Sequence, residues 1–504
     1  MLLTSSIPLD VVILTIILIY ILYRHVTRNF NYFKDKDIPY VKPVPFFGNF
    51  AKIALFRTTI GIWLKSYYDK IDAPYFGLFV FNTPCMVIKS PEIVRDIVIN
   101  SVIKDFSHFF DRSTPMPKNE PLQQGMMLLQ KGREWKETRE KFTNAFTSGK
   151  LRKMFPELNT YAEKLVKFIR NNDMNKIDIQ DYTLRFATDT LLRSFVGIEA
   201  YCLEDDSEIY LKMKSAMTPC FKSGLISVSF FFRLQGLIDF LKLGFPQTGP
   251  LEFFASVFQH LVKVGQEGNT KISNLIDIVT SLKNNENFTQ KFTYGDRKAV
   301  GQPYMFFMAG ENTIITTLAY VLYELAKHPE AQKKLRDEVM EAKGDDEFNY
   351  EKIIGMKYME MVVQEVLRMY PPLPFLDREC TNDYTIRGTN VTIPKGQQVY
   401  IPMFGFNFDE EIFPEPEKFL PERFAIKSKY NQNGLRFFPF GEGPRLCIGE
   451  RFALLDIKIA VAHILCNFEM ESSSETPQNI QFTPFSFGSL SKDPLYLNLK
   501  PLNK

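Results

Sequence analysis

The first hydrophobic feature of the chain is continuous rather than periodic. From Val11 to Tyr23 it reads VVILTIILIYILY, uncharged and interrupted only by Thr15. With the apolar residues before Asp10, the run approaches the roughly 20 residues a membrane-spanning helix needs. From 50 to 105, short β-like runs such as MVIK (Met86 to Lys89) mix with helical ones, and from about 130 to 345 helical periodicity dominates. Between Tyr384 and Pro402, YTIRGTNVTIPKGQQVYIP alternates apolar and polar residues between glycine and proline breaks, which predicts short strands. Helical spacing returns after Cys447 in IGERFALLDIKIAVAHIL, and a strand-like tail closes the chain. The pattern predicts a mainly α protein with a small β portion. Residues 1–24 form an anchor, 25–50 a basic linker stiffened by the prolines of KPVPFFGN (Lys42 to Asn49), and 51–504 a single catalytic domain.

Charge orients the anchor. Asp10 alone precedes the apolar run, whereas Arg24, His25, Arg28, Lys34 and Lys36 follow it, so the positive-inside rule places the rest of the chain in the cytosol. A cleaved signal peptide would carry its basic end first and a small-residue cleavage site after the run, and neither is present. On this topology the triplets Asn287–Thr289 and Asn390–Thr392 face the cytosol and are inert as glycosylation sites. Lys+Arg 61 against Asp+Glu 58 is too balanced for the concentrated basic face that nucleic acid requires. The six cysteines (Cys85, Cys202, Cys220, Cys380, Cys447, Cys466) form no CxxC pair, which excludes a disulfide framework or zinc site and fits a reducing compartment.

The candidate chemistry gathers around Cys447, in FPFGEGPRLCIGERF (Phe438 to Phe452). A thiolate ligates metals far better than a thiol, and a helix N-terminus lowers a thiol's pKa. The expected helix after Cys447 would turn backbone N–H groups toward its sulfur. Gly443 and Gly449 remove side chains on either side, so that a large flat group can approach the backbone. Arg445 supplies a permanent cation for a carboxylate. Together these residues suit a bulky, anionic, metal-bearing planar cofactor.

Phe440-x-x-Gly443-x-Arg445-x-Cys447-x-Gly449 resembles the haem-ligand loop of the cytochrome P450 family at all five fixed positions. The resemblance implies that Cys447 is the axial thiolate of haem b, that Phe440 packs near the sulfur, and that Arg445 pairs with a haem propionate. Glu365-Val-Leu-Arg368 matches the family's ExxR. That spacing alone is uninformative, since Glu92–Arg95 and Glu442–Arg445 also spell it. With PERF (Pro421 to Phe424) downstream, it resembles a buried cluster of Glu365, Arg368 and Arg423 that braces the haem loop; a surface i,i+3 ion pair is the rival. Trp135 and Arg139, one helical turn apart, and Arg378 match further propionate-holding positions. In PYMFFMAGENTIITT (Pro303 to Thr317), Ala309, Gly310 and Thr313 match the family's oxygen-activating helix. Asn312 stands where the usual acid would be and Glu311 one residue earlier. The resemblance assigns Thr313 the alcohol that steers protons and water, assisted by Asn312 or Glu311; a hydroxyl bonded to an upstream carbonyl is the plain alternative. Pro303 either kinks this helix or marks its first turn.

An apolar pocket is expected, and by position in the family pattern Leu128, Met305, Phe306, Met308, Ala309, Leu373 and Phe485 line it, unless they are ordinary core. The apolar run from Ile226 to Phe245 is expected either to dip into the bilayer or to be buried. FTSGKLRKMFP (Phe146 to Pro156) and FFGNF resemble the insect microsomal branch that handles plant toxins and insecticides. The implied protein is an endoplasmic-reticulum monooxygenase that inserts one oxygen atom of O2 into a lipophilic molecule. No Gly-rich nucleotide motif lies between a strand and a helix, so NADPH electrons would come through a partner reductase, with a cytochrome b-type protein as a further donor. Lys136, Lys141, Arg436 and Arg451 could meet the reductase's acidic surface. Three other readings stay open: a haem-thiolate isomerase or dehydratase, a noncatalytic haem or ligand carrier, and a cysteine hydrolase, for which the five histidines offer no recognisable partner.

Overall fold

The computed structural model describes residues 7–100, 110–111, 121–204, 206–217, 256–261, 275, 278–279, 297–431, 434–486 and 488–502. The Ile226–Phe245 run, Cys220 and the Asn287–Thr289 triplet lie outside the described residues. Helix α1 (Ile7–Thr27) carries the continuous apolar run, and almost none of it is covered by the rest of the protein.

The stretch expected as a linker is instead packed into the domain. Phe33, Ile38, Asn49 and Phe50 are buried. Strand β1 (Tyr75–Val80) receives them. A Cβ at Gly77 would come within 2.3 Å of the Phe33 ring, so the glycine opens the slot that the ring fills. Val41 N–H donates to the Gly77 carbonyl at 2.9 Å, and the Asn49 amide oxygen accepts from Phe79 N–H at 2.7 Å. β1 pairs antiparallel with β2 (Thr83–Ile88), the first two strands of a five-stranded sheet. β8 (Gln398–Ile401) joins β2 in parallel, and β5 (Leu376–Cys380) and β3 (Phe110–Asp111) complete it antiparallel. A second sheet, β4-β10-β9, combines Ile177–Asp178 (β4), Tyr496–Pro501 (β10) and Phe468–Ser472 (β9). The short pair β6 (Tyr384–Thr385) and β7 (Thr392–Ile393) occupies the segment where the alternation predicted strands.

The remaining helices that position the site are α2 (Ala51–Ala54), α3 (Ile60–Tyr68), α4 (Gly132–Thr143), α5 (Ser148–Asn171), α6 (Ile179–Leu191), α7 (Arg297–Lys327), α8 (Lys357–Met369) and α9 (Glu450–Asn467). α7 is long and apolar enough to cross a membrane, but 72% of its candidate span is buried, which makes it the core helix, packed against α6, α8 and α9. Its described length runs straight through Pro303, so the proline lies inside the helix. An interior proline costs about 3 kcal/mol, and neighbouring contacts hold the helix across it. Gln302, fully buried, donates to the Gly125 carbonyl and accepts from Met127 N–H at 3.3 Å. A Cβ at Gly301 would lie 2.4 Å from the Leu122 carbonyl oxygen, so this end of α7 is pressed onto the 121–130 segment.

Candidate active site

The Cys447 loop is a succession of tight turns. Gly441 and Gly443 take φ +75° and +68°, Leu446 N–H closes a 3-10 turn onto Gly443, and Cys447 N–H donates to the Phe440 carbonyl at 2.9 Å. Phe440 itself packs half-buried on the core. α9 begins three residues after Cys447, and the N–H groups of Gly449 and Glu450 donate toward the sulfur. The expected fall in thiol pKa nevertheless does not follow. Burial pushes the Cys447 thiol up, and these N–H groups and Arg139 offset it only in part. The thiol is enclosed enough to be desolvated, yet its side chain is exposed. A metal bound at this sulfur would favour its thiolate against that desolvation.

The two glycines play different parts. A Cβ on Gly443 would sit 2.2 Å from the Val98 carbonyl oxygen, so this glycine serves loop packing against the 96–100 segment rather than a cofactor face. At Gly449 a Cβ would meet only the Phe146 ring edge at 3.9 Å, which leaves room beside the sulfur.

Two guanidiniums, Arg445 and Arg139, are tied to this loop, and Arg378 lies on β5. Arg445 stacks 3.9 Å over the indole of buried Trp135 and donates to the Gln130 carbonyl at 2.9 Å. Arg139, one turn beyond Trp135 on α4, is half-buried; burial lowers its pKa, and the neighbouring Cys447 offsets this in part. Arg378, on β5, is buried and donates to the Asp377 carbonyl at 2.8 Å. Of the outer cations, Lys136 pairs with Glu140, Arg436 with Glu92, and Arg451 donates to Ser148.

Glu365, Arg368 and Arg423 come together in one buried cluster. Arg368 makes a two-pronged pair with Glu365, both bonds 2.8 Å, and both side chains are fully buried. Arg423 Nε and Leu420 N–H add bonds of 3.0 Å to the same carboxylate oxygen. The remaining guanidinium hydrogens find the carbonyls of Asn407, Lys418, Pro414 and Glu415. Charges this deep persist only when fully paired, and here they are.

On α7, Ala309 is exposed although its helix is core, and Thr313, four residues on, shares its face. The Thr313 hydroxyl donates to the Ala309 carbonyl at 2.9 Å, which leaves its oxygen able to accept. At about 100° per residue, Glu311 projects roughly 160° away from Thr313. It is buried with one oxygen unpartnered, and desolvation pushes its pKa up to about 8. Glu311 is thus placed against the core, not beside the alcohol. Half-buried Asn312 turns the other way and borders the Ala309 face.

The pocket candidates separate as well. Leu128 is exposed, and Met308, Leu373 and Phe485 are half-buried, Phe485 packing on Phe56. Met305 is buried, its sulfur accepting from Leu128 N–H at 3.2 Å. Phe306 belongs to the core: it packs on Phe142, Phe146 and Phe195, and Phe195 reaches Phe452 at the start of α9. Sequence reading missed this aromatic bridge, along with Gln130, Asn407, Gln302 and Asp456. Asp456, fully buried on α9, accepts from Thr190 at 3.0 Å and is pushed up to about 8 by burial. Its only advance signal was an acid in the middle of an apolar helix.

The family model described as "Cytochrome P450" matches residues 38–498. Similar curated proteins include Cytochrome P450 6j1 of Blattella germanica, 33% identical over 98% of this chain and 99% of the relative. Cytochrome P450 6k1 of the same insect is 32% identical over 93% and 92% of the two chains. Cytochrome P450 6a8 of Drosophila melanogaster is 31% identical over 96% and 97%.

Proposed function

The chain belongs to the cytochrome P450 family of haem-thiolate monooxygenases, and we propose that Cys447 is its metal ligand, with electrons drawn from NADPH through a membrane-bound reductase and lipophilic small molecules as substrates. The observation that carries this reading is the Cys447 sulfur itself: desolvated, reachable, backed by two helix N–H groups and flanked by Arg139.

The donor set fits haem b. Cys447 would ligate the iron, Arg139, Arg378 and Arg445 with Trp135 would hold the carboxylates, and Gly449 leaves room for a flat ring. Bound haem supplies the iron at which O2 is activated, with electron density donated by the sulfur. The protein's own residues do the rest. Ala309 keeps the reacting face open, while Leu128, Met308, Leu373 and Phe485 exclude water and receive an apolar substrate. Thr313, its hydrogen committed to a helix carbonyl, accepts a hydrogen bond from water and holds it at that face, with Asn312 beside it. The Glu365–Arg368–Arg423 cluster keeps the loop rigid.

The substrate class in this reading is xenobiotics, such as plant toxins or insecticides, or endogenous lipophiles, as the resemblance of FTSGKLRKMFP and FFGNF to the insect microsomal branch implies, and α1 supports an endoplasmic-reticulum anchor with the domain on the cytosolic face. Reconstitution with reductase in lipid tests this. NADPH consumption with one atom of O2 in a product from a lipophilic panel is expected; haem binding without turnover would make the protein a carrier, and product without NADPH an isomerase or dehydratase.

A further inference from the structure

One part-buried ion pair joins the two elements to which the haem carboxylates are assigned. Lys131, the N-cap of α4, holds its Nζ 2.7 Å from Glu379 Oε2 on β5, 248 positions along the chain. Its neighbour Gln130 offers the carbonyl that accepts from Arg445, and the Arg445 guanidinium lies over Trp135, one turn beyond Lys131. On the other side, Glu379 follows Arg378 on a strand fixed by β8, with Arg378 opposite Val399 and Glu379 opposite Gln398. Lys131 thus fastens the peptide that seats one carboxylate-holding cation to the strand that carries another.

We propose that Lys131 is a positioning residue of the haem-carboxylate site: it offsets the charge of Glu379, so that propionates at Arg378 and Arg445 meet net positive charge. The inference rests on the reading of Cys447 as the haem ligand and deepens it. Charge is what makes the pair more than a strut. Buried Asp377 and part-buried Glu379 flank Arg378, so two acidic residues stand beside a cation whose expected partners are themselves anions. Alternation along the strand turns Glu379 away from the Arg378 face. Its field still crosses the strand, because a side chain only 18% exposed is screened far less than one in open solvent. Without Lys131, the negative charge of Glu379 repels the propionates and favours ferric over ferrous iron. The pair of Arg133 with Glu137 differs: it lies within α4, and the Arg133 side chain is 82% exposed.

The test uses full-length, haem-loaded protein and reads two quantities, the rate of haem transfer to excess apomyoglobin and the midpoint potential of the iron. Lys131→Met should release haem roughly two- to fivefold faster, the range of a partly screened ion pair, and lower the midpoint potential. Glu379→Gln should keep the release rate near that of wild type and raise the potential. The double variant should bring both quantities back toward wild type, as a compensated pair requires. Arg133→Met, on the solvent side of the same helix, is the control and should change neither. Equal acceleration by Lys131→Met and Glu379→Gln with an unmoved potential would make the pair a plain strut and overturn the proposal. So would a Lys131→Met protein that matches wild type in both readouts. Haem content of the wild type separates the two readings: a wild type without haem overturns the assignment of Cys447, whereas a haem-replete wild type with indifferent variants overturns only the role of Lys131.

Discussion

Two buried glutamates divide this molecule into a finished half and an unfinished one. Glu365, with no exposed surface, receives two bonds from Arg368, one from Arg423 and one from the Leu420 amide. Glu311, 1% exposed, has an unpartnered oxygen and only desolvation acting on it. A buried carboxylate ringed by donors ties three segments together, whereas one on which only desolvation acts is pushed toward its protonated form. The Glu365 cluster is thus over-determined, whereas α7 departs from the family pattern at Asn312, and its acid, Glu311, has a raised pKa and is turned away from Thr313.

The sharpest way to break the comparison is Glu365→Ala. Arg368 would be left as an uncompensated buried charge, at a cost of about 3–5 kcal/mol, with loss of haem retention. Denaturant unfolding and haem content measure both, and a stable, haem-replete variant would refute the bracing role. Phe306→Ala should cost about 3–4 kcal/mol by emptying the aromatic bridge to α9. Leu128→Ala should leave unfolding almost unchanged while altering substrate binding, and the reverse pattern would return Phe306 to the pocket. Thr313→Val should slow product formation about a hundredfold, with stability nearly kept, as measured by turnover beside thermal melting. Glu311→Gln is the gentlest change, and its sign depends on pH. A carboxyl whose folded pKa is raised to about 8 makes the fold lose stability as pH climbs from the unfolded value, near 4.5, toward 8. The glutamine variant should therefore melt at higher temperature than wild type at pH 8, with the gain vanishing by pH 5 and turnover little changed. A large loss of turnover would instead put Glu311 in the proton path.

Local chemistry was legible in the chain; the outcome of packing was not. Five fixed positions between Phe440 and Gly449 announce the cysteine loop because they encode turns and a helix start within ten residues. The Glu365–Arg368 spacing means nothing alone, and only Arg423 and four distant carbonyls make it a cluster. The thiol shows the limit clearly. Its helix N–H groups could be foreseen, but burial, which outweighs them, depends on segments hundreds of residues apart. Periodicity marks Phe306 as apolar without saying which apolar neighbour it meets, and prolines in KPVPFFGN signal stiffness without revealing that Phe33 fills the Gly77 slot.

The most direct measurement is the carbon monoxide difference spectrum of the reduced full-length protein and its Cys447→Ser variant. Wild type should show the red-shifted Soret band that a thiolate opposite carbon monoxide gives, and the serine variant should lose that band. A wild-type protein lacking it, or a variant keeping it, would contradict the assignment of Cys447.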